Sequence, residues 1–85
     1  MNNDLKKLDI TIKYCVPCDY SDYALRLTKE LIKNYKHNIN RHILETGSKG
    51  IFDVKVNDEI IFSKKKLERY PEPGEISRIL IGNFI

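Results

Sequence analysis

The chain has 85 residues, which is enough for one small domain with a modest core and too short for two. Its apolar fraction of 41% and charged fraction of 32% are ordinary for a folded protein. The net charge of +3 is small, and most of it comes from residues 63–69.

No stretch of the sequence approaches the roughly 20 apolar residues of a membrane span. The first residues also lack the apolar run that is typical of a secretory signal. We therefore expect a cytoplasmic protein that does not bind a membrane. We expect one domain across residues 1–85, with a core from about residue 8 to about residue 80 and flexible termini.

The first predicted strand leads directly into the first predicted helix. Apolar and polar residues alternate from Leu8 to Tyr14, which is typical of a half-buried strand. The helix begins near Ser21, with Ser21 or Asp19 as its N-terminal cap and Asn38 as its stop. The inward stripe of this helix consists of Ala24, Leu27, Thr28, Leu31 and Tyr35.

Three more strands and a second helix are predicted in the rest of the chain. The last two strands are joined by Asn57 and Asp58, a two-residue turn that requires a positive φ at both positions. Pro71 and Pro73 interrupt the chain before the final helix, which we expect to end at Gly82. The three predicted strands cover Ile39–Glu45, Ile51–Val56 and Glu59–Ser63.

The element order β-α-β-β-β-α predicts the fold. A β-α-β unit forms a right-handed parallel crossover, and two strands joined by a tight turn form an antiparallel hairpin. We therefore predict an α/β thioredoxin-like arrangement, in which two helices pack against a four-stranded mixed sheet.

The strongest chemical signal is the C-x-x-C motif formed by Cys15 and Cys18, between the first strand and the first helix. A disulfide at this spacing closes too short a loop to stabilise the fold much, which favours a redox couple over a structural cross-link. The N-terminus of the helix stabilises a nearby thiolate and lies closer to Cys18. Asp19 and Asp22 oppose this effect, so we expect a moderately acidic thiol and a reductant or peroxide-responsive role.

Zinc binding is a weaker interpretation of the same cysteines. Together with His37 and His42, their spacing superficially resembles a zinc-finger pattern. A helix from Ser21 to His37 would be about 24 Å long, so cysteines at one end could not share an ion with histidines at the other. We therefore predict no metal site, with His37 at a helix end and His42 on a strand.

Tyrosines near the motif allow two interpretations. They could ring the dithiol and form a contact surface for a protein or for glutathione. Alternatively, Tyr14 and Tyr23 belong partly to the core. The four tyrosines in question are Tyr14, Tyr20, Tyr23 and Tyr70.

Two features superficially suggest a nucleic acid as partner. The basic run Lys64–Lys66 is typical of a solvated turn, with a docking patch for an acidic partner or a nucleic acid as the alternative. The segment Gly47–Gly50 resembles the GXXG loop of KH domains, but that loop joins two helices and this one joins two predicted strands. We therefore predict no nucleic-acid binding.

Four short motifs are spread in order over nearly the whole chain, from about Leu8 to Leu80. They are IKYCVPC at residues 12–18, GSKGIFDV at 47–54, IIFSKK at 60–65 and RYPEPGEI at 69–76. Together, at these spacings, they resemble the selenoprotein W-like, or Rdx-type, family, here with cysteine in place of selenocysteine.

The resemblance implies a thioredoxin-like fold, a C-x-x-C redox centre and a glutathione- or thioredoxin-linked antioxidant role. In selenium-containing members, selenocysteine holds the second position of the motif, which is Cys18 here. Thioredoxins proper attack with the first cysteine, which is Cys15 here. They also place a cis-proline opposite the motif, and this chain has no proline in the corresponding loop before Ile51. We favour Cys18 as the attacking thiol and Cys15 as the resolving thiol.

The sequence leaves two functions open, and with them the question of whether the protein is an enzyme. The leading hypothesis is a thiol–disulfide redox protein with Cys15 and Cys18 as catalytic residues, no bound cofactor, and glutathione as a co-substrate. Its partners would be glutathione or the thioredoxin system and protein thiols. The alternative is a redox-sensitive interaction adaptor without turnover. In both cases we expect a monomer that contacts partners through Val16, Pro17, Tyr20 and Tyr70.

Overall fold

A computed structural model describes residues 7–84, so the termini expected to be flexible lie largely outside the described residues. The chain forms one four-stranded sheet and three helices. Their bounds are β1 Leu8–Cys15, α1 Ser21–Tyr35, β2 Ile39–Gly47, β3 Phe52–Val56, β4 Glu59–Ser63, α2 Lys64–Leu67 and α3 Glu75–Asn83.

The strands lie in the order β2-β1-β3-β4, so β1 and β3 are central and β2 and β4 form the edges. β1 runs parallel to β2 and antiparallel to β3, and β3 and β4 form an antiparallel hairpin. The predicted four-stranded mixed sheet is therefore confirmed. Asn57 and Asp58 join the hairpin with φ values of 50° and 72°, the positive φ at both positions that the two-residue turn requires.

The start of α1 differs from the prediction. The residue at the N-cap position is Tyr20, and no side chain caps the helix there. Asp19 precedes the cap with a φ of 64° and belongs to the turn, and Ser21 is already the first helical residue. The prediction that Asp19 or Ser21 caps the helix is therefore wrong, because the turn places the cap position between them.

The last third of the chain also differs from the prediction. The short helix α2 was not expected, and it ends where Glu68 adopts a φ of 59°. α3 continues through Gly82 to Asn83, because a single glycine in a helix costs only about 1 kcal/mol and does not by itself end it.

None of the helices formed by residues 7–84 has both the length and the apolar character of a membrane-spanning helix.

A single hydrophobic core lies between the sheet, α1 and α3. Alternate residues of β1 and β3 point into it, and the stripe predicted for α1 contributes its buried residues. The fully buried side chains include Leu8, Ile10, Ile12, Leu31, Phe52, Val54, Val56, Ile76 and Leu80.

Ser77 links α3 to α1 through its hydroxyl and its carbonyl. The Ser77 hydroxyl donates to Glu30 Oε2 at 2.7 Å and accepts from Asn34 Nδ2 at 3.3 Å. The hydroxyl of Tyr35 donates to the Ser77 carbonyl at 2.9 Å. These bonds satisfy a buried polar residue and fix the position of α3 against α1.

His42 links β2 to α1. Its Nε2 lies 2.9 Å from Thr28 Oγ1, and its Nδ1 is buried without a hydrogen-bond partner in the described part of the chain. Burial lowers the pKa of His42 below the ordinary value, because the charged ring is less well solvated there.

This burial predicts a pH dependence of stability. The folded protein prefers neutral His42, so its contribution is complete above about pH 6.5, the ordinary pKa of histidine, and is lost as the pH falls through the lower folded-state value. We expect His42→Gln to reduce the loss in free energy of unfolding between about pH 7 and pH 5. Urea unfolding at several pH values measures this effect. The exposed His37 supplies the control, and an equal pH effect in His37→Gln and His42→Gln would contradict the assignment.

Candidate functional site

Backbone hydrogen bonds on both sides hold the start of the C-x-x-C loop. The N–H of Cys15, at the end of β1, donates to the carbonyl of Ile51 at 2.8 Å. The N–H of Val16 donates to the carbonyl of Gly47, at the end of β2, at 3.1 Å. The loop therefore begins from a backbone position that β2 and the segment before β3 fix together.

The loop itself folds back on β1. The N–H of Asp19 donates to the carbonyl of Val16 at 3.0 Å, and the N–H of Tyr20 donates to the carbonyl of Cys15 at 3.2 Å. This turn places the Cα atoms of Cys15 and Cys18 5.3 Å apart, and the two sulfur atoms form a disulfide with an S–S distance of 1.99 Å. The two cysteines therefore have the geometry that thiol–disulfide chemistry requires.

The two cysteines differ in their access to solvent. Cys15, at the end of a central strand, is 0% exposed. Cys18 lies on the turn and is exposed, as are Val16 and Pro17. A molecule in solution can therefore reach Cys18 directly, whereas Cys15 is covered by the protein.

An aromatic cluster lies beside the loop, and we define it as Tyr20, Tyr23, Phe52 and Tyr70. Tyr70 is at its centre: its ring stacks on Tyr23 with centroids 3.8 Å apart, and it meets Tyr20 and Phe52 edge to face at 5.3 Å and 5.8 Å. Of the four tyrosines considered from the sequence, Tyr14 packs against the core from β1 without joining the cluster, whereas Tyr20 and Tyr70 contact both the core and the cluster. The structure thus brings Tyr20 and Tyr70 together next to the motif.

Lys64, the first residue of the basic run, approaches the same cluster, a contact that was not predicted from the sequence. Its Nζ lies 5.4 Å from the Tyr20 ring centroid and 5.0 Å from the Tyr70 centroid, within the range of cation–π attraction. Lys65 and Lys66 are exposed. Within the basic run, Lys64 therefore contacts the aromatic cluster, whereas Lys65 and Lys66 face solvent. This difference depends on how α2 packs, so it cannot be predicted from the local sequence.

The phenol of Tyr70 is a weaker acid in this environment than in water. Burial raises the pKa of Tyr70 to about 12, and a hydrogen bond with Tyr20 adds to the effect. The phenol therefore remains neutral near neutral pH and acts through packing and hydrogen bonding rather than as an acid or base.

A carboxylate–guanidinium pair holds the backbone on both sides of Tyr70. Arg69 donates to both carboxylate oxygens of Glu75, at 2.7 Å and 2.9 Å, and also to the carbonyl of Tyr70 at 3.1 Å. The N–H of Glu72 donates to the same carboxylate at 2.8 Å. The bond from Arg69 lowers the pKa of Glu75 to about 2.

A cleft of about 330 Å³ lies next to the aromatic cluster. Tyr23 and Phe52 form part of its wall, with Arg26 of α1 and the segment that contains Pro71 and Glu72. The cleft therefore extends the aromatic surface along α1.

The described residues do not bring metal ligands together. No group of three or more histidine, cysteine, aspartate or glutamate side chains between residues 7 and 84 is placed to hold an ion. His42, considered as a ligand from the sequence, lies beside Thr28. Across the same residues no peptide bond is cis.

The position of Tyr70 depends on ionised Glu75, which gives a second pH prediction. Because the folded-state pKa of about 2 is below the ordinary value, Glu75 stabilises the fold fully above about pH 4.3 and loses this effect as the pH falls towards 2. We expect Glu75→Gln to lower stability at neutral pH, to reduce its acid dependence, and to increase amide hydrogen exchange around Tyr70. Glu59→Gln, at an exposed carboxylate on β4, is the control. Unchanged exchange around Tyr70 would contradict the role of this pair.

Two solved structures with the same fold come from bacteria. A selenoprotein W-related protein from Vibrio cholerae is 23% identical, with a TM-score of 0.86 over 91% of this chain and 96% of its own. A protein from Bordetella parapertussis is 19% identical, with a TM-score of 0.87 over 92% and 99%. These similarities confirm the predicted thioredoxin-like fold. Comparison with curated proteins gives no significant match.

The family assignment comes from the sequence match, with the cysteine geometry consistent with it. The Rdx family matches residues 9–81, which is most of the chain and includes the C-x-x-C loop and the aromatic cluster. The C-x-x-C pair at disulfide distance indicates a redox function. This protein therefore belongs to the Rdx family, as a cysteine-containing relative of the selenoprotein W-like proteins.

Proposed function

We propose that the protein is a thiol–disulfide oxidoreductase in which Cys18 attacks and Cys15 resolves. Membership of the Rdx family and the disulfide between the two cysteines support redox chemistry. The observation that carries the assignment of roles is the difference in exposure, because an intermolecular step needs a sulfur that a substrate can reach.

The reaction proceeds through a mixed disulfide. The Cys18 thiolate attacks one sulfur of a substrate disulfide, forms a bond to it and releases the other substrate sulfur as a thiolate, which takes up a proton. The Cys15 thiolate then attacks the Cys18 sulfur and releases the second substrate thiol. The substrate disulfide gains two electrons, and the protein dithiol is oxidised to the Cys15–Cys18 disulfide.

Glutathione or the thioredoxin system would return the protein to the dithiol and link it to antioxidant chemistry in the cytoplasm. Two glutathione thiols supply the two electrons and leave as glutathione disulfide. The exposed residues Val16 and Pro17, with Tyr20 and Tyr70 behind them, form the proposed contact surface. Lys64 adds a positive charge that favours an anionic thiol donor such as glutathione.

A redox-sensitive adaptor is the second candidate. Val16 of the loop and Leu67 of α2 are apolar and exposed, and Lys65 and Lys66 are exposed as well, a composition that suits binding to an acidic protein. Capture of a partner that depends on the redox state, without reduction of a disulfide substrate, would favour the adaptor. Turnover comparable to that of a known oxidoreductase would exclude it.

Trapping experiments test the roles of the two cysteines. Cys15→Ser removes the resolving thiol, so we expect a mixed disulfide with glutathione or a protein substrate to accumulate on Cys18. In Cys18→Ser the remaining thiol is buried, so we expect little adduct under the same conditions. Intact-mass and peptide mass spectrometry measure both products, and both variants should lose turnover.

The double variant Cys15→Ser/Cys18→Ser is the control for adducts at other sites. Equal trapping by the two single variants, or preferential trapping on Cys15, would contradict the proposed order of attack. If mild oxidant leaves both thiols of the unmodified chain free, the redox function itself fails.

The charge next to Cys18 gives a further prediction. Asp19 follows Cys18 directly, and its negative charge opposes the formation of the thiolate. We expect Asp19→Asn to increase the thiolate fraction of Cys18 near neutral pH several-fold, and with it the rate of alkylation. The measurement uses Cys15→Ser as background so that only one thiol reacts.

Asp58→Asn is a matched control for this substitution. Asp19 and Asp58 both have a positive φ, of 64° and 72°, a conformation that asparagine also tolerates. The two variants therefore remove the same charge from residues with the same positive-φ backbone conformation. Equal acceleration in both variants would show that the local charge at Asp19 has no specific effect.

A further inference from the structure

β2 is a long edge strand of the sheet that has no lysine or proline to protect it. It has nine residues, from Ile39 to Gly47, and its sequence INRHILETG contains neither lysine nor proline. Edge strands present unpaired backbone groups, and proteins usually block them with lysine, proline, bulges or short length. β2 has one register shift, against β1 near its first residues, and is regular from Arg41 to Gly47. The other edge, β4, has only five residues and a register shift within them.

Every second residue of β2 directs its backbone N–H and C=O groups away from β1. The Gly47 carbonyl accepts a bond from Val16, so this residue points towards β1. Because backbone groups of successive residues in a strand point to opposite sides, those of His42, Leu44 and Thr46 point away from the sheet.

We propose that β2 pairs antiparallel with β2 of a second copy of this chain, about a two-fold axis at Ile43. Ile43 is the central residue of β2, and the regular segment from Arg41 to Glu45 is symmetric about it. His42 then faces Leu44 of the second copy, and each such pair exchanges two backbone hydrogen bonds. The four-stranded sheets of the two copies become one continuous sheet, in place of the monomer expected from the sequence.

This register is complementary in charge on the face of the sheet opposite the core. Arg41 faces Glu45 of the second copy twice, once on each side of the axis, and Ile43 faces Ile43. These are the pairs without mutual backbone hydrogen bonds, in which facing side chains come closest. Arg41 makes an exposed contact with Asp9 at 3.5 Å, and its guanidinium has donors for a second carboxylate.

The helix face supplies apolar side chains to the same contact. Thr28 of α1 reaches His42 of β2, and Leu25 and Ile32 lie three before and four after Thr28, on that side of the helix. Leu25 and Ile32 are 54% and 45% exposed, and Leu44, on the same face of β2 as His42, is 38% exposed. Exposed apolar residues of this kind, next to an open strand edge, indicate an interaction surface.

The spacing of the elements allows the two copies of α1 to touch. α1 packs over β1 and β2. With adjacent strands about 4.8 Å apart, pairing at β2 would place the two helices roughly 10 Å from each other, which is a normal packing distance. β4 offers less: antiparallel pairing about Ile61 would set Glu59 opposite Ser63, with no pair of opposite charges.

Charge reversal tests the interface. In Arg41→Glu and in Glu45→Arg, like charges face each other across the axis, so we expect each variant to weaken self-association at least about tenfold. A mixture of the two variants restores opposite charges at both positions and should form a one-to-one heterodimer. Sedimentation equilibrium under reducing conditions measures affinity, and native mass spectrometry identifies the heterodimer by its mass.

Two variants outside the interface control for the change in net charge. Glu59→Arg and Lys65→Glu match the two reversals at exposed positions and should leave self-association unchanged. Circular dichroism establishes that all variants fold. A monomeric wild-type chain over the micromolar to millimolar range, or failure of the mixed variants to pair, would overturn the proposal.

Discussion

The hydrogen bonds at the end of β1 set the geometry of the C-x-x-C loop. β1 is flanked by β2 on one side and β3 on the other, and its last residue is fixed to the carbonyl of Ile51 while the next is fixed to Gly47. The chain leaves the sheet only after these bonds. Cys15 is therefore enclosed by neighbouring elements, whereas Cys18, on the turn beyond them, lies in solvent.

The aromatic cluster brings together parts of the chain that are distant in sequence. Tyr20 and Tyr23 come from the start of α1, Phe52 from β3 and Tyr70 from the segment after α2. The Arg69–Glu75 pair and the proline-containing segment determine where Tyr70 lies. The surface beside the C-x-x-C loop is thus assembled by tertiary contacts, and stability in the last third of the chain affects it directly.

The sequence predicts the parts of this structure whose signals are local. Alternation identifies β1, the motif locates the loop, and the requirement for positive φ at Asn57 and Asp58 identifies the hairpin. Neither face of β2 is cleanly apolar, so alternation in its sequence does not determine how it pairs with β1. The exposure of Cys18 and the contact of Lys64 could not be read from the sequence, because both depend on long-range packing.

The burial of Cys15 also determines how the pair responds to damage. An oxidant that arrives from solution meets Cys18 first, and the sulfenic acid formed there would lie next to an intact thiol. Condensation with Cys15 would return the sulfur to a disulfide, the form that cellular reductants can repair, before further oxygen atoms add irreversibly. Because Cys15 is buried, the oxidant does not reach it directly, and its thiol remains available to react with the sulfenic acid on Cys18. The burial of Cys15 would therefore protect Cys18 from irreversible oxidation.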